Sequence, residues 1–180
     1  MEHTTLEYGL VAGLAIALAV AAFTDIRRRQ IDNGLNAVIA LTAPAFWWAS
    51  GLAVWPGMAL QLGLGLAAFA VFAAMFALRV MGGGDVKLLS ALALWLPWHA
   101  FVQLLVIMSL VGGLLTIGLG AWHVMRRRPG KLKIPYGVAI AAGGLAVLAM
   151  HYTPAALAAH GMAGAGVAGP ARAAARTMAG

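Results

Sequence analysis

Residues 88–125 read LLSALALWLPWHAFVQLLVIMSLVGGLLTIGLGAWHVM, bounded by Lys87 and Arg126 and free of Asp, Glu, Lys and Arg throughout. As one helix this stretch would be roughly 58 Å long at 1.5 Å per residue. The hydrocarbon core of a bilayer is only about 30 Å thick. Leu96-Pro97-Trp98-His99 offers the break that resolves the mismatch. The stretch therefore predicts two crossings. The first is short, from about Val86 to Leu96, and begins where its backbone is sheltered from lipid. The second runs from about Phe101 to Val124.

The rest of the chain has the same character. Of 180 residues, 63% are hydrophobic and 9% charged, against about a quarter charged in an ordinary soluble domain. Apolar segments run from about Tyr8 to Thr24, Leu35 to Leu52, Met58 to Leu78 and Ile134 to His151. With the two above they make six. The predicted fold is an all-α polytopic membrane protein, with the membrane domain over residues 1–152. An Ala/Gly-rich stretch over 153–180 is expected to be a mobile tail. Glu2 and Glu7 stand where a signal peptide would carry basic residues, so the first segment is expected to be a retained helix.

Positive charge orients the bundle. Arg27, Arg28 and Arg29 follow segment one, Arg79 and Lys87 flank the third loop, and Arg126 to Lys133 fill the fifth. The second and fourth loops hold no Lys or Arg. Odd loops are thus predicted to be cytoplasmic, with the N-terminus outside; Arg172 and Arg176 run against the rule. Trp47, Trp48, Trp55, Trp95 and Trp98 suit the opposite interface. The net charge of +7 belongs to this topology, and no nucleic-acid partner is expected. There is no cysteine, which excludes disulfides and thiolate chemistry. The five histidines form no ligand pattern, so neither metal nor cofactor is expected.

The acids are few: Glu2, Glu7, Asp25, Asp32 and Asp85. Asp25 and Asp85 are 60 residues apart, yet the topology puts both at the inner ends of their helices. Carboxylates at that depth are costly and usually functional. Two held together share a proton, because like charge and desolvation oppose double ionisation. The charged member can take a proton from water while its partner donates one to a peptide carbonyl oxygen. Blander readings exist for each. Asp25 can pair with Arg28 or Arg29, Asp85 can cap its helix, and Asp32 with Asn33 and Gly34 can form a turn. Gly82, Gly83 and Gly84 permit close backbone approach or a hinge; no Lys-Ser/Thr pair follows them, so they are not a phosphate loop. A transporter using Asp85 beside a broken helix, a passive scaffold, and a Lys87–Ser90 dyad remain alternatives at this point.

Gly82-Gly83-Gly84-Asp85, continued by Val86-Lys87-Leu88, resembles the G-x-G-D motif of the type IV prepilin peptidases and their archaeal preflagellin relatives. Asp25 with Arg27, Ile31 and Asn33 is similar to the segment around that family's first catalytic aspartate, and Lys133-Ile134-Pro135-Tyr136-Gly137 to its late Pro-aromatic-Gly motif. Over residues 8 to 150 the resemblance implies a six-helix aspartic protease with Asp25 and Asp85 catalytic. Gly82, Gly84, Lys87, Asn33, Pro135, Tyr136 and Gly137 would support the site or bind substrate. The implied substrate is a pilin or pseudopilin precursor, cut after its short basic leader at the cytoplasmic face of the bacterial inner membrane. The lipid bilayer and the pilus assembly machinery are the other implied partners. The two-function members carry a cysteine-containing insertion after helix one; here that loop is about ten residues without cysteine. The chain therefore resembles the short subgroup of tight-adherence (Flp-type) systems, and methyltransferase activity is not expected. Asp32 replaces the family's usual proline before Asn33.

Overall fold

The computed structural model describes residues 2–125 and 136–152. The described residues form six α-helices: α1 (Glu2–Arg28), α2 (Asn33–Ala49), α3 (Ala59–Ala77), α4 (Gly83–Trp95), α5 (Trp98–Met125) and α6 (Tyr136–Tyr152). The chain divides between Val147 and Leu148 into two units, and the site lies wholly in the first. The protein is an α-helical membrane protein. Among the described residues three segments are long and apolar enough to cross a bilayer, Thr5–Arg28, Val54–Ala77 and Trp98–Trp122. The helices α2, α4 and α6 are shorter, at 17, 13 and 17 residues. Both long outer helices overrun the expected limits, since α1 and α5 continue past Thr24 and begin before Phe101. The tail, Pro135 and the basic cluster Arg126 to Lys133 lie outside the described residues.

The break at Pro97 falls where the lengths require it. Leu96 is extended (φ −101°, ψ 131°), and α5 starts at Trp98. An extended residue before proline is the conformation that the pyrrolidine ring imposes.

Helix α4 is the core. Val86, Leu88 to Ala93 and Trp95 are all buried, and the helix packs chiefly against α3 and α2. Thirteen residues rise only about 20 Å, and the last of them, Trp95, is buried together with Leu96. The last carbonyls of any helix lack internal donors, and at this depth each must find one within the protein. Side chains from neighbouring helices supply them. Gln61 Nε2 on α3 donates to the carbonyls of Ala93 (2.8 Å) and Leu96 (2.6 Å). Trp47 Nε1 on α2 donates to Leu94 (2.7 Å). Trp95 Nε1 returns the tie, donating to the Ile39 carbonyl of α2 (2.7 Å), and its ring stacks on Phe46.

This corrects the sequence reading of two tryptophans. Trp47 and Trp95 are 7% and 4% exposed, held inward by the carbonyls their indoles satisfy. Trp48, Trp55 and Trp98 remain exposed, as an interfacial belt requires.

Candidate active site

Three helix ends and one loop build the site. Asp25 lies one turn before the end of α1 and is buried. Arg29, in the left-handed region (φ 55°), turns the chain away from α1, its N–H donating to the Asp25 carbonyl at 2.9 Å. Residues 29–33 then run across to α2. Ile31 is the buried residue of this loop.

Asp85 lies in the first turn of α4. It is not the helix cap, the blander reading its position allowed. Gly82 is the cap residue, and Asp85 stands three positions inside, its carboxylate accepting the N–H of Gly82. That reciprocal contact is the N3-to-cap half of a capping box, and an acid in a first turn is favoured by the helix dipole. The contact explains the glycine: a Cβ on Gly82 would stand 2.9 Å from Asp85 Oδ2. Gly84 has a second reason. A Cβ there would stand 3.4 Å from Ile31 Cβ, so its absence lets α4 start against the loop.

The start of α6 closes the site around Asp25. The N–H groups of Gly137 and Val138 face its carboxylate. They belong to the first turn, where helical N–H groups have no internal partner and attract anions. A Cβ on Gly137 would stand 2.8 Å from Asp25 Oδ2 and 2.9 Å from Ile31 Cδ1. Asp25 Oδ2 is buried and has no hydrogen-bond partner among the described residues.

The result is one open cavity of about 630 Å³ with Asp25 and Asp85 both in its wall. Gly82, Gly83, Gly84, Asn33 and Tyr136 also line it. So do Arg29, Gln30, Ile31 and Asp32, of which Arg29 acts electrostatically on Asp25. Asp32, the extended N-cap of α2, is exposed and makes no side-chain cap bond. An acid pair beside trapped water, with a basic group at its edge, can polarise a carbonyl and activate water.

Lys87 does not share this cavity. Its Nζ donates to Asn33 Oδ1 at 2.7 Å, and it borders a neighbouring groove. Ser90 is buried with its hydroxyl donating to the Val86 carbonyl at 2.7 Å. Each member of the alternative Lys87–Ser90 pair is thus committed elsewhere. Asn36, which sequence reading did not single out, is 4% exposed and donates from Nδ2 to the Gly84 carbonyl at 3.5 Å. Its signal was an amide one turn after Asn33 on an otherwise apolar helix.

Residues 12–117, more than half of the chain, match the Type IV leader peptidase family. A prepilin leader peptidase/N-methyltransferase of Aeromonas hydrophila is 44% identical over 69 residues, covering 38% of this chain and 23% of that protein. One of Burkholderia pseudomallei (strain K96243) is 32% identical over 147 residues, covering 76% of this chain and 44% of that protein. The chain thus spans less than half the length of these relatives. No solved structure matches it significantly.

Proposed function

The chain belongs to the type IV leader peptidase family, and from that premise we propose that it is an intramembrane aspartic endopeptidase that removes the short basic leader of Flp-type pilin precursors. One observation carries the reading: Asp25 and Asp85, 60 residues apart in sequence, line one cavity.

The pair holds one proton between its two carboxyls. The charged member takes a proton from water as the water oxygen bonds to the scissile carbonyl carbon. The protonated member gives its proton to the carbonyl oxygen, leaving a neutral gem-diol. The first carboxyl then protonates the amine nitrogen, the C–N bond breaks, and a diol hydroxyl returns its proton to the second. One water is consumed and the pair ends as it began. The N–H groups of Gly137, Val138 and Gly82 hold the carboxyls in place through the cycle.

The setting is the bacterial inner membrane, with six crossings, the N-terminus outside and the dyad near the cytoplasmic face. The clustering of Arg27 to Arg29, Arg79 and Lys87 on the odd loops supports it. The placement of the acids at helix ends, with none at mid-helix, favours a protease over a transporter, whose ion site belongs at the midplane. Residues 1–152 are assigned as the peptidase domain, and the short loop between α1 and α2 supports peptidase action without methyl transfer.

The test is cleavage of a co-expressed Flp-type pilin precursor in membranes, at matched protein levels. Asp25→Ala and Asp85→Ala are each expected to lower processing by about 10²–10⁴-fold, the usual worth of a general acid or base. Retained cleavage in both would sink the two-aspartate mechanism.

A further inference from the structure

Beside the acid cavity, and sharing Asn33 with it, a groove of about 430 Å³ runs between α2 and α3 over the face of α4. Its walls are apolar, and Leu66 and Phe69 along its outer edge are largely exposed. Among its lining stands Asn36, more than nine-tenths buried. The Asn36 Nδ2 faces the Gly84 carbonyl at 3.5 Å, the long limit of a hydrogen bond. Its Oδ1 is buried and has no partner among the described residues. A buried acceptor left unpaired is destabilising, so this atom calls for a donor. Pro44 lies inside α2 and has no N–H, so the carbonyl of Ala40, which also lines the groove, lacks its helical donor.

We propose that this groove seats the polypeptide that follows the scissile bond, with Asn36 Oδ1 accepting one of its backbone N–H groups. The inference rests on the endopeptidase reading and extends it to substrate positioning. A peptide bond offered to a carboxylate pair must be free of helix, and unwinding strips donors from the residues beside it. In apolar surroundings those N–H groups require acceptors. A lipid acyl chain would fill the same apolar walls, yet it carries no donor for Asn36. Asn36 also faces the carbonyl of the residue before Asp85, which couples the seated strand to the dyad.

The test uses the full chain in vesicles of phosphatidylethanolamine and phosphatidylglycerol with a synthetic pilin precursor comprising a basic leader and its apolar segment. Asn36→Leu is expected to lower kcat/KM by tenfold or more. The same loss is expected when one amide within three residues after the scissile bond is replaced by an ester, which removes its N–H. Combining the two should cost no more than either alone, because both delete the same bond. A merely structural role for Asn36 would make the losses multiply, and that result would overturn the proposal. A photoactivatable residue at Leu66 or Phe69, in Asp25→Asn protein that leaves the precursor uncut, should cross-link to the precursor's apolar segment. If the parent cuts the precursor but these positions capture only lipid, the groove assignment is wrong while the endopeptidase reading stands. If the parent fails to cut yet the cross-link forms, the chemistry is wrong and the groove assignment survives. Neither cutting nor cross-linking would remove both.

Discussion

A single methyl group tests how Asp25 is seated. In Gly137→Ala, the new Cβ would stand 2.8 Å from Asp25 Oδ2, 2.9 Å from its Cγ and 2.9 Å from Ile31 Cδ1. Non-bonded carbons settle at about 3.5–4.0 Å, so something must retreat by roughly half an ångström or more. The Ile31 methyl can rotate away. The carboxyl has less freedom, being attached to α1 on one side and faced by the N–H groups of α6 on the other. Gly137 is not in the left-handed region, so the methyl is the whole perturbation. Crowding of this kind costs about 1–3 kcal/mol, and removing a helical glycine returns about 0.5–1 kcal/mol. The net loss of stability is therefore about 0–2.5 kcal/mol, small enough for the protein to accumulate. Catalysis is far less tolerant, since a 1 Å misplacement costs about 10²-fold. Half that displacement predicts a fall of roughly ten- to a hundredfold in the initial rate of precursor cleavage, measured by the mobility shift of the processed pilin in membranes. Gly113→Ala, whose Cβ meets nothing within 4 Å, should cut like the parent. If Gly137→Ala cuts at the parental rate at matched protein levels, the seating of Asp25 against α6 has no bearing on the chemistry and this reasoning fails.

Two further outcomes follow from the same packing. Gln61→Leu keeps the shape but strips donors from the carbonyls of Ala93 and Leu96. At about 1–3 kcal/mol per orphaned group, the thermal midpoint in detergent should fall by several degrees or more, with cleavage by the intact protein retained at low temperature; an unchanged midpoint would contradict the tie. Ser90→Ala removes only a hydroxyl bonded to its own helix and should shift stability by about 1 kcal/mol or less while leaving cleavage intact. Loss of cleavage in folded Ser90→Ala would instead revive a Lys87–Ser90 mechanism.

The acid pair was legible in the sequence because charge is so scarce in this chain. Three aspartates and two glutamates among long apolar runs leave few combinations, and helix length with loop charge brought Asp25 and Asp85 to one depth. Pro97 was legible for the same reason, since no single helix of that span fits a bilayer. What could not be read were interactions whose partners are backbone atoms. Gln61 serves carbonyls 32 and 35 residues away, and nothing in residue type marks those carbonyls as needy. Trp47 and Trp95 carry the same side chain as belt tryptophans, and only the direction of each indole separates the roles. Gly82 was readable as a place of close approach but not as one where the approaching group is the acid itself, and Gly137 was legible only through its motif. Asn36 was missed because an amide carries no charge, so the rule that makes intramembrane acids conspicuous passes over it.

The enclosure of α4 bears on how the protein behaves in membranes of unequal thickness. Long apolar helices such as α1, α3 and α5 have the length to cross a bilayer and would answer a thicker or thinner one by tilting. The central helix is shielded from that pressure on nearly every side, and its far end is tethered by Gln61 and Trp47. Its thirteen residues then act as a spacer of set length, tied to α2 and α3 at one end and carrying Asp85 near the other. The depth of that carboxylate is gauged from within the protein, so changes in acyl-chain length should alter the tilt of the shell long before they alter the position of the acid.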